Sequence, residues 1–213
     1  SLGAFSCFMM PNKADGVNWK GPWAGVGMRG NSSRTVSIDG LRIPEHDRLG
    51  ASGDQNWFIF QVVAPYFLIS MAGTYLGAAR RALDEATRHL QERSYRHTGH
   101  SLSHVDVLQH RLGVLWTKYQ AARAYVQWAS RQGDTGGDEA LPALIASKAH
   151  VGDAAVDIVN ECMTLVGGRG YAQDGVMARM LRDVRAVHVM SPTTDLLYTW
   201  AGRALLDLPL LGE

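Results

Sequence analysis

Two cysteines in 213 residues, Cys7 and Cys162, are too few and too far apart for a disulfide framework or a cysteine-built metal site. Cysteine chemistry is set aside, and the count suits a reducing compartment. Charge of one sign is equally scarce: 21 Lys and Arg against 20 Asp and Glu leave +1, so no basic excess invites nucleic acid. No apolar run approaches the ~20 residues that a membrane span needs, and the longest, such as Trp57 to Ala64, stop well short. The N-terminus lacks the charged and then apolar stretch of a secretory signal, and neither a repeat nor a low-complexity segment interrupts the chain. These absences predict a soluble, cytoplasmic protein with neither a nucleic-acid nor a membrane partner. At 46% hydrophobic residues, the chain can bury a sizeable core.

The first fifty or so residues differ in texture from the rest. Phe5 to Met10, Gly16 to Trp19 and Arg34 to Asp39 are short, partly alternating runs separated by Pro, Gly and Asn, which is the pattern of strands and turns. A β unit of only about fifty residues cannot bury both faces of a sheet, so residues 1–52 read as part of a larger β domain.

From about Asp54 the apolar period becomes helical, and residues 53–213 read as an antiparallel four-helix bundle. Ala78, Ala82, Leu83, Ala86 and Leu90 fall on one face of a long helix, with Arg80, Asp84, Thr87, Arg88 and Gln91 opposite. Pro65 divides this helix, which ends near Arg93, from a short one at Gln55 to Val63. Ser103, with Asp106 three residues on, predicts the N-cap of a second helix through Val107, Leu108, Leu112, Leu115, Trp116, Tyr119 and Ala122, stopped by Gly133 to Gly137. A third runs from near Asp138 to Gly167-Gly168, with Pro142 tolerated in its first turn. Shorter helices follow from Val176 to Val189 and from Pro192 to about Leu206. The fold class is therefore mainly α, a helical bundle preceded by a few strands.

Three motifs stand in order along this plan: Gly27-Met28-Arg29-Gly30, then Ala82-Leu83-Asp84-Glu85-Ala86, then Gly167-Gly168-Arg169-Gly170-Tyr171 with Arg182-Asp183-Val184-Arg185. Together they resemble the acyl-CoA dehydrogenase family, over essentially the whole chain but only the second half of a typical member. The resemblance implies the last strands of a middle β domain followed by the C-terminal helical bundle. It also implies FAD as cofactor, an acyl-CoA thioester as substrate, and assembly into a homo-oligomer, dimer or tetramer, through the bundle. The family's N-terminal helical domain and the earlier β segment that holds the flavin ring have no counterpart here, so a truncated chain, or a partner chain that supplies the missing half, is expected.

By the same resemblance Arg93 reaches the FAD of a neighbouring subunit, where a planar guanidinium suits a diphosphate. Read as a residue alone, it is a cation at a helix C-terminus. Gln109 matches a glutamine near the flavin, or is a polar residue on the bundle surface. Thr164, Gly167 and Gly168 match the segment along the dinucleotide, although glycine there also serves as a helix C-cap. Thr193 and Thr194 open a helix whose amides, in the family, face the cofactor. Ser191-Pro192-Thr193-Thr194-Asp195 reads locally as a helix start, with Ser191 as N-cap. His97, His100, His104 and His110 form a loose group without metal-ligand spacing.

The expected catalytic base is missing. The family's glutamate position is occupied by Ser191, and the alternative position on the first long helix by Phe67. Neither can accept a proton as a carboxylate does. Three readings follow: an acyl-CoA-dehydrogenase-like flavoprotein, a flavin-dependent monooxygenase or hydroxylase of the same fold, and a non-catalytic scaffold subunit.

Overall fold

The computed structural model describes residues 6–54, 57–97 and 99–211. The chain divides into two compact units, Ser1–Tyr66 and Phe67–Glu213.

The first unit holds two small antiparallel sheets. Strand β1 (Cys7–Phe8) pairs with β4 (Arg48–Leu49), and β2 (Val17–Lys20) pairs with β3 (Thr35–Ile38) in a register that sets Val17 opposite Ile38. The strand texture of the sequence marks the first three, while β4 was not foreseen. Phe5, counted there with the first strand, lies outside the described residues. Gly16 closes the β2–β3 ladder at φ +89°, and a Cβ there would stand 2.2 Å from the Asp39 carbonyl oxygen, so only glycine fits. Among the described residues from 6 to 54 none is buried, and Trp19, Trp23, Val26 and Ile38 are exposed. These strands enclose no core.

The helical part opens with a wide-wound stretch, Phe58–Val63, in which the Ala64 amide reaches back five residues to the Ile59 carbonyl. It continues as α1 (Ala64–Glu92). Pro65 therefore marks a change of helical winding where a division into two helices was expected: its ring has no N–H to continue the four-residue ladder. Gln55, the expected start, lies outside the described residues. The joined helix Phe58–Glu92 is long and apolar enough, by length and composition alone, to cross a membrane, which corrects the expectation drawn from separate short runs. Leu68, Ala72, Tyr75, Ala79, Ala82, Leu83, Ala86 and Leu90 are nonetheless buried along one of its faces.

Helices α2 (Asp106–Thr135), α3 (Ala140–Val166), α4 (Val176–Val189) and α5 (Thr194–Leu205) complete the second unit. Two expected caps are corrected. Helix α2 starts from Val105 without a side-chain cap, because Ser103 belongs to a tight turn over Leu102–His104 whose Ser103 carbonyl accepts from the Gln109 amide at 2.8 Å. Helix α5 is capped by Thr193, whose hydroxyl accepts from the Leu196 amide at 3.4 Å, and not by Ser191. On α2, Leu115, Tyr119, Ala122 and Ala129 face inward, but Val107 and Trp116 point outward.

Helix α3 is the middle of the bundle and packs against α2, α4 and α5. Its small residues allow this. A Cβ on Gly152 would meet the buried Val187 of α4 at 2.8 Å. Lys148, fully buried in the same helix, donates to the carbonyls of Met190 (2.9 Å) and Pro192 (2.6 Å) and so fixes the link between α4 and α5. Burial pushes its ammonium down from 10.5 to about 8, so it is still largely protonated at neutral pH and donates to both oxygens. The Tyr75 hydroxyl of α1 reaches the sulfur of Met190 at 3.9 Å, and burial, then the charge of Asp183, raises that phenol to about 12.

Three outcomes are expected from this packing. Gly152→Ala gains about 1 kcal/mol of helix propensity but overpacks a stiff β-branched neighbour at ~1–3 kcal/mol, so urea denaturation should show a net loss of up to ~2 kcal/mol. Gly113→Ala in α2, where a Cβ meets nothing within 4 Å, should instead stabilise. For Lys148, the folded value is depressed below the unfolded one, so between about pH 8 and 10.5 the unfolded chain holds a proton that the folded chain has released. The stability of the wild type relative to Lys148→Met should therefore climb by on the order of 2–3 kcal/mol across that window. A flat difference curve would show that burial does not perturb this lysine.

Candidate functional site

The chain leaves α1 through Arg93 and turns sharply. The Arg93 amide still donates to the His89 carbonyl at 2.9 Å, and the Leu102 amide donates to the Arg93 carbonyl at 2.7 Å, which brings the end of the 94–101 loop back beside its start. The Arg93 guanidinium lies 5.2 Å from the centre of the Tyr95 ring, a cation–π contact that holds it at the loop mouth.

Opposite stands the end of α3. Gly167 stops the helix at φ +67°, and its amide donates to the Met163 and Thr164 carbonyls, so the C-cap role is real and consumes that N–H. Gly168 is different. Its φ is not in the left-handed region, and a Cβ there would meet nothing within 4 Å. Neither backbone conformation nor packing within the chain calls for glycine at 168. Thr164, one turn earlier, donates its hydroxyl to the Asn160 carbonyl at 3.3 Å.

Between these walls lies a cleft of about 470 Å³, lined by His89, Arg93, Thr164, Gly167, Gly168 and Arg169, with Tyr95 and apolar neighbours. Among the described residues no carboxylate lines it. The ion pairs of α1 use Arg80, Arg81 and Arg88, and among the described residues none uses Arg93 or Arg169. Cations do suit the C-terminal ends of α1 and α3. Three cationic or protonatable groups around a single open cleft, with glycine where a side chain would intrude, also form a receptor for an anion.

The structure thus brings together Arg93, Thr164, Gly167 and Gly168 from segments 70 residues apart. It does not bring Gln109 to them. That residue lines a separate groove of about 520 Å³ with Arg80, Asp84, Thr87, Gly113 and Trp116, and its amide is engaged with Ser103. Thr193 spends its hydroxyl on the α5 cap, and Thr194 is buried with its own hydroxyl lacking a hydrogen-bond partner. Ser191 is exposed between the two carbonyls that Lys148 holds, and Phe67 is half-buried at the start of α1. His89 and Arg169 escaped the sequence reading as site residues. Their signals were present, since His89 lies one turn before Arg93 on the same face and Arg169 sits inside the glycine motif. Among the described residues no group of three His, Cys, Asp or Glu could hold a metal ion.

Comparison with known proteins bears on the family and the fold. A sequence profile for "Acyl-CoA dehydrogenase, C-terminal domain" matches residues 68–206. The chain is similar to cyclohex-1-ene-1-carbonyl-CoA dehydrogenase of Geobacter metallireducens, at 25% identity over 94% of this chain and 52% of that protein. It is also similar to an amino sugar nitrososynthase of Streptomyces rubradiris, at 32% identity over 81% of this chain and 42% of that one. In fold it matches the butyryl-CoA dehydrogenase structure from Megasphaera elsdenii with a TM-score of 0.86, at 21% identity over 94% of this chain and 51% of that one. The chain spans about half the length of the curated relatives it matches. With its helical unit matched from residue 68 to 206, the chain belongs to the acyl-CoA dehydrogenase family.

Proposed function

We propose that this chain supplies the dinucleotide-facing part of an FAD-dependent oxidoreductase acting on the CH–CH bond of an acyl-CoA thioester. The observation that carries this reading is the cleft: Arg93, Thr164 and Gly168 line one carboxylate-free space although they are far apart in sequence. Arg93 offers a forked donor to a phosphate oxygen, and Thr164 a hydroxyl. Gly168 leaves the backbone open to close approach. Bound FAD would supply the hydride acceptor for dehydrogenation. Everything else in that reaction depends on a group that takes the α proton, and neither Ser191 nor Phe67 provides one.

This gap favours a second reading, in which the same fold and cofactor serve oxygenation and no carboxylate base is needed. Similarity to an amino sugar nitrososynthase, at 32% identity, keeps this reading beside the dehydrogenase one. A scaffold subunit is the third possibility. In each case we expect a dimer or tetramer built on the bundle, for which the exposed Val107, Val114 and Trp116 of α2 offer apolar surface.

Four outcomes are expected. Gly168→Leu should keep the wild-type melting temperature while lowering FAD affinity at least tenfold by fluorescence titration; equal affinity would remove the cleft from the cofactor site. Because only part of a flavin site is present, the 213-residue chain should bind FAD weakly and lose it on gel filtration. The chain joined to the upstream half of a family member should bleach its flavin with acyl-CoA slowly, and Ser191→Glu should speed this by roughly 10²–10⁴-fold. Rapid bleaching without that substitution would mean that a carboxylate elsewhere serves as base. Oxygen consumption with an amine substrate, unaffected by Ser191→Ala, would select the oxygenase. Light scattering should show the mass of a dimer or tetramer, and a monomer at high concentration would contradict the oligomer.

A further inference from the structure

We propose that His89 and Arg169 complete the anion-binding wall begun by Arg93, and that His89 binds the dinucleotide's diphosphate in its protonated form, so that ligand uptake and proton uptake are coupled. The inference rests on the reading of this cleft as the dinucleotide site. It concerns residues to which nothing in that reading assigns a role.

The geometry is as follows. His89 and Arg93 are four residues apart on α1, hence stacked on one face, and both line the cleft. Arg169 enters from the turn after α3, opposite them. A diphosphate placed between Arg93 and Gly168 is therefore met from both walls, with His89 one helical turn deeper along α1. His89 is half-buried, so it neither lies in open solvent nor is sealed in the core.

The electrostatics set the direction. Burial lowers the affinity of His89 for a proton, and Arg169, Arg93 and Arg88 lower it further in that order of strength for the first two. Glu85, one turn earlier on α1, acts the other way; its carboxylate is engaged by Arg88 at 2.5 Å and by Arg81 at 3.5 Å, and its charge also offsets part of that of Arg169. The rest of the lining, Tyr95, Leu102, Leu108, Thr164, Leu165, Val166 and the two glycines, adds no acidic or basic side chain. In the protein alone burial and the neighbouring arginines thus disfavour the protonated ring of His89. Two phosphate charges among Arg93, Arg169 and His89 reverse the balance, since the nearest arginines are then compensated and an anion lies within reach of the ring. Proton uptake on binding follows, and affinity rises as the pH falls through the range in which bound His89 is protonated and free His89 is not.

FAD is a suitable probe because its two phosphates are diesters and keep their charge between about pH 5.5 and 8.5, so any slope in that range belongs to the protein. Two measurements are made on the full chain: the His89 ring titration by NMR with and without saturating FAD, and FAD affinity against pH for wild type, His89→Gln, Arg169→Gln and Arg93→Gln. Ligand should raise the His89 midpoint by about one pH unit, and wild-type affinity should be about tenfold higher at the acid end than at the alkaline end. His89→Gln should flatten this profile near the alkaline wild-type value, while Arg169→Gln should weaken binding throughout. An unmoved His89 midpoint, or a pH slope that survives in His89→Gln, overturns the proposal, and the wild-type NMR measurement needs no folded variant. If Arg93→Gln binds FAD as well as wild type does, or neither binds it, the cleft reading itself fails. Loss of binding in Arg93→Gln with an unchanged slope in His89→Gln retires only the proton linkage.

Discussion

The burial of α3 is the constraint from which the rest of the helical unit follows. Its inward residues include Ala143, Ser147, Ala149, Gly152, Ala154 and Ala155, interleaved with Ile145, Val151, Ile158 and Val159. Small residues let neighbouring backbones come close, and larger ones then fill the hollows between them. A helix surrounded in this way cannot shift along its axis without breaking contacts on several sides. Whatever its two ends and its polar side chains hold is held in place with it.

Two functional features hang from this one rigid element. At its C-terminus Gly167 ends the helix and delivers Thr164, Gly168 and Arg169 to one wall of the cleft. In its first half Lys148 reaches across to the carbonyls on either side of Ser191. An ammonium in the core is costly unless its donors find acceptors, and two backbone carbonyls take two of its three N–H groups here. That pairing defines where the 190–192 link runs, and so where residue 191, the family's position for a base, faces the solvent. Burial, then the charge of Glu161, pushes the thiol of the buried Cys162 in the same helix up to about 12, which disfavours the thiolate.

The cleft shows how a site and a fold element can share residues. Gly167 is fully explained as a C-cap, while Gly168 is not, because its backbone is ordinary and space beyond it is open. Arg93 is a reasonable companion of a helix end, yet it shares its cleft with Arg169 and with no acid. A single residue of this kind carries little weight. Their convergence does, since like charges are gathered against their mutual repulsion.

Much of this was legible in the sequence wherever the information is local. Helical periodicity located α1 to α5, and the inward face of α1 at Ala82, Leu83, Ala86 and Leu90 reads directly from its spacing. The glycine motif and Arg93 were identifiable as cleft candidates by resemblance. What went astray depended on neighbours in space. Ser103 and Ser191 have the chemistry of N-caps, but Gln109 holds the Ser103 turn and Lys148 the Ser191 link, so the helices begin elsewhere. Val107 and Trp116 belong to an apolar pattern and still face outward, because the partner side of α2 is set by Leu115, Tyr119 and Ala122 packing in the core. The joined helix Phe58–Glu92 required the wide winding before Pro65, which no residue pattern announces. The sequence by itself determined which segments are helical and what chemistry each side chain offers, since periodicity and side-chain chemistry act over a few residues. Only the tertiary structure decided that His89, Arg93 and Arg169 meet in one cleft while Gln109 does not, because electrostatics acts through space and the distances are set by how α1 and α3 pack.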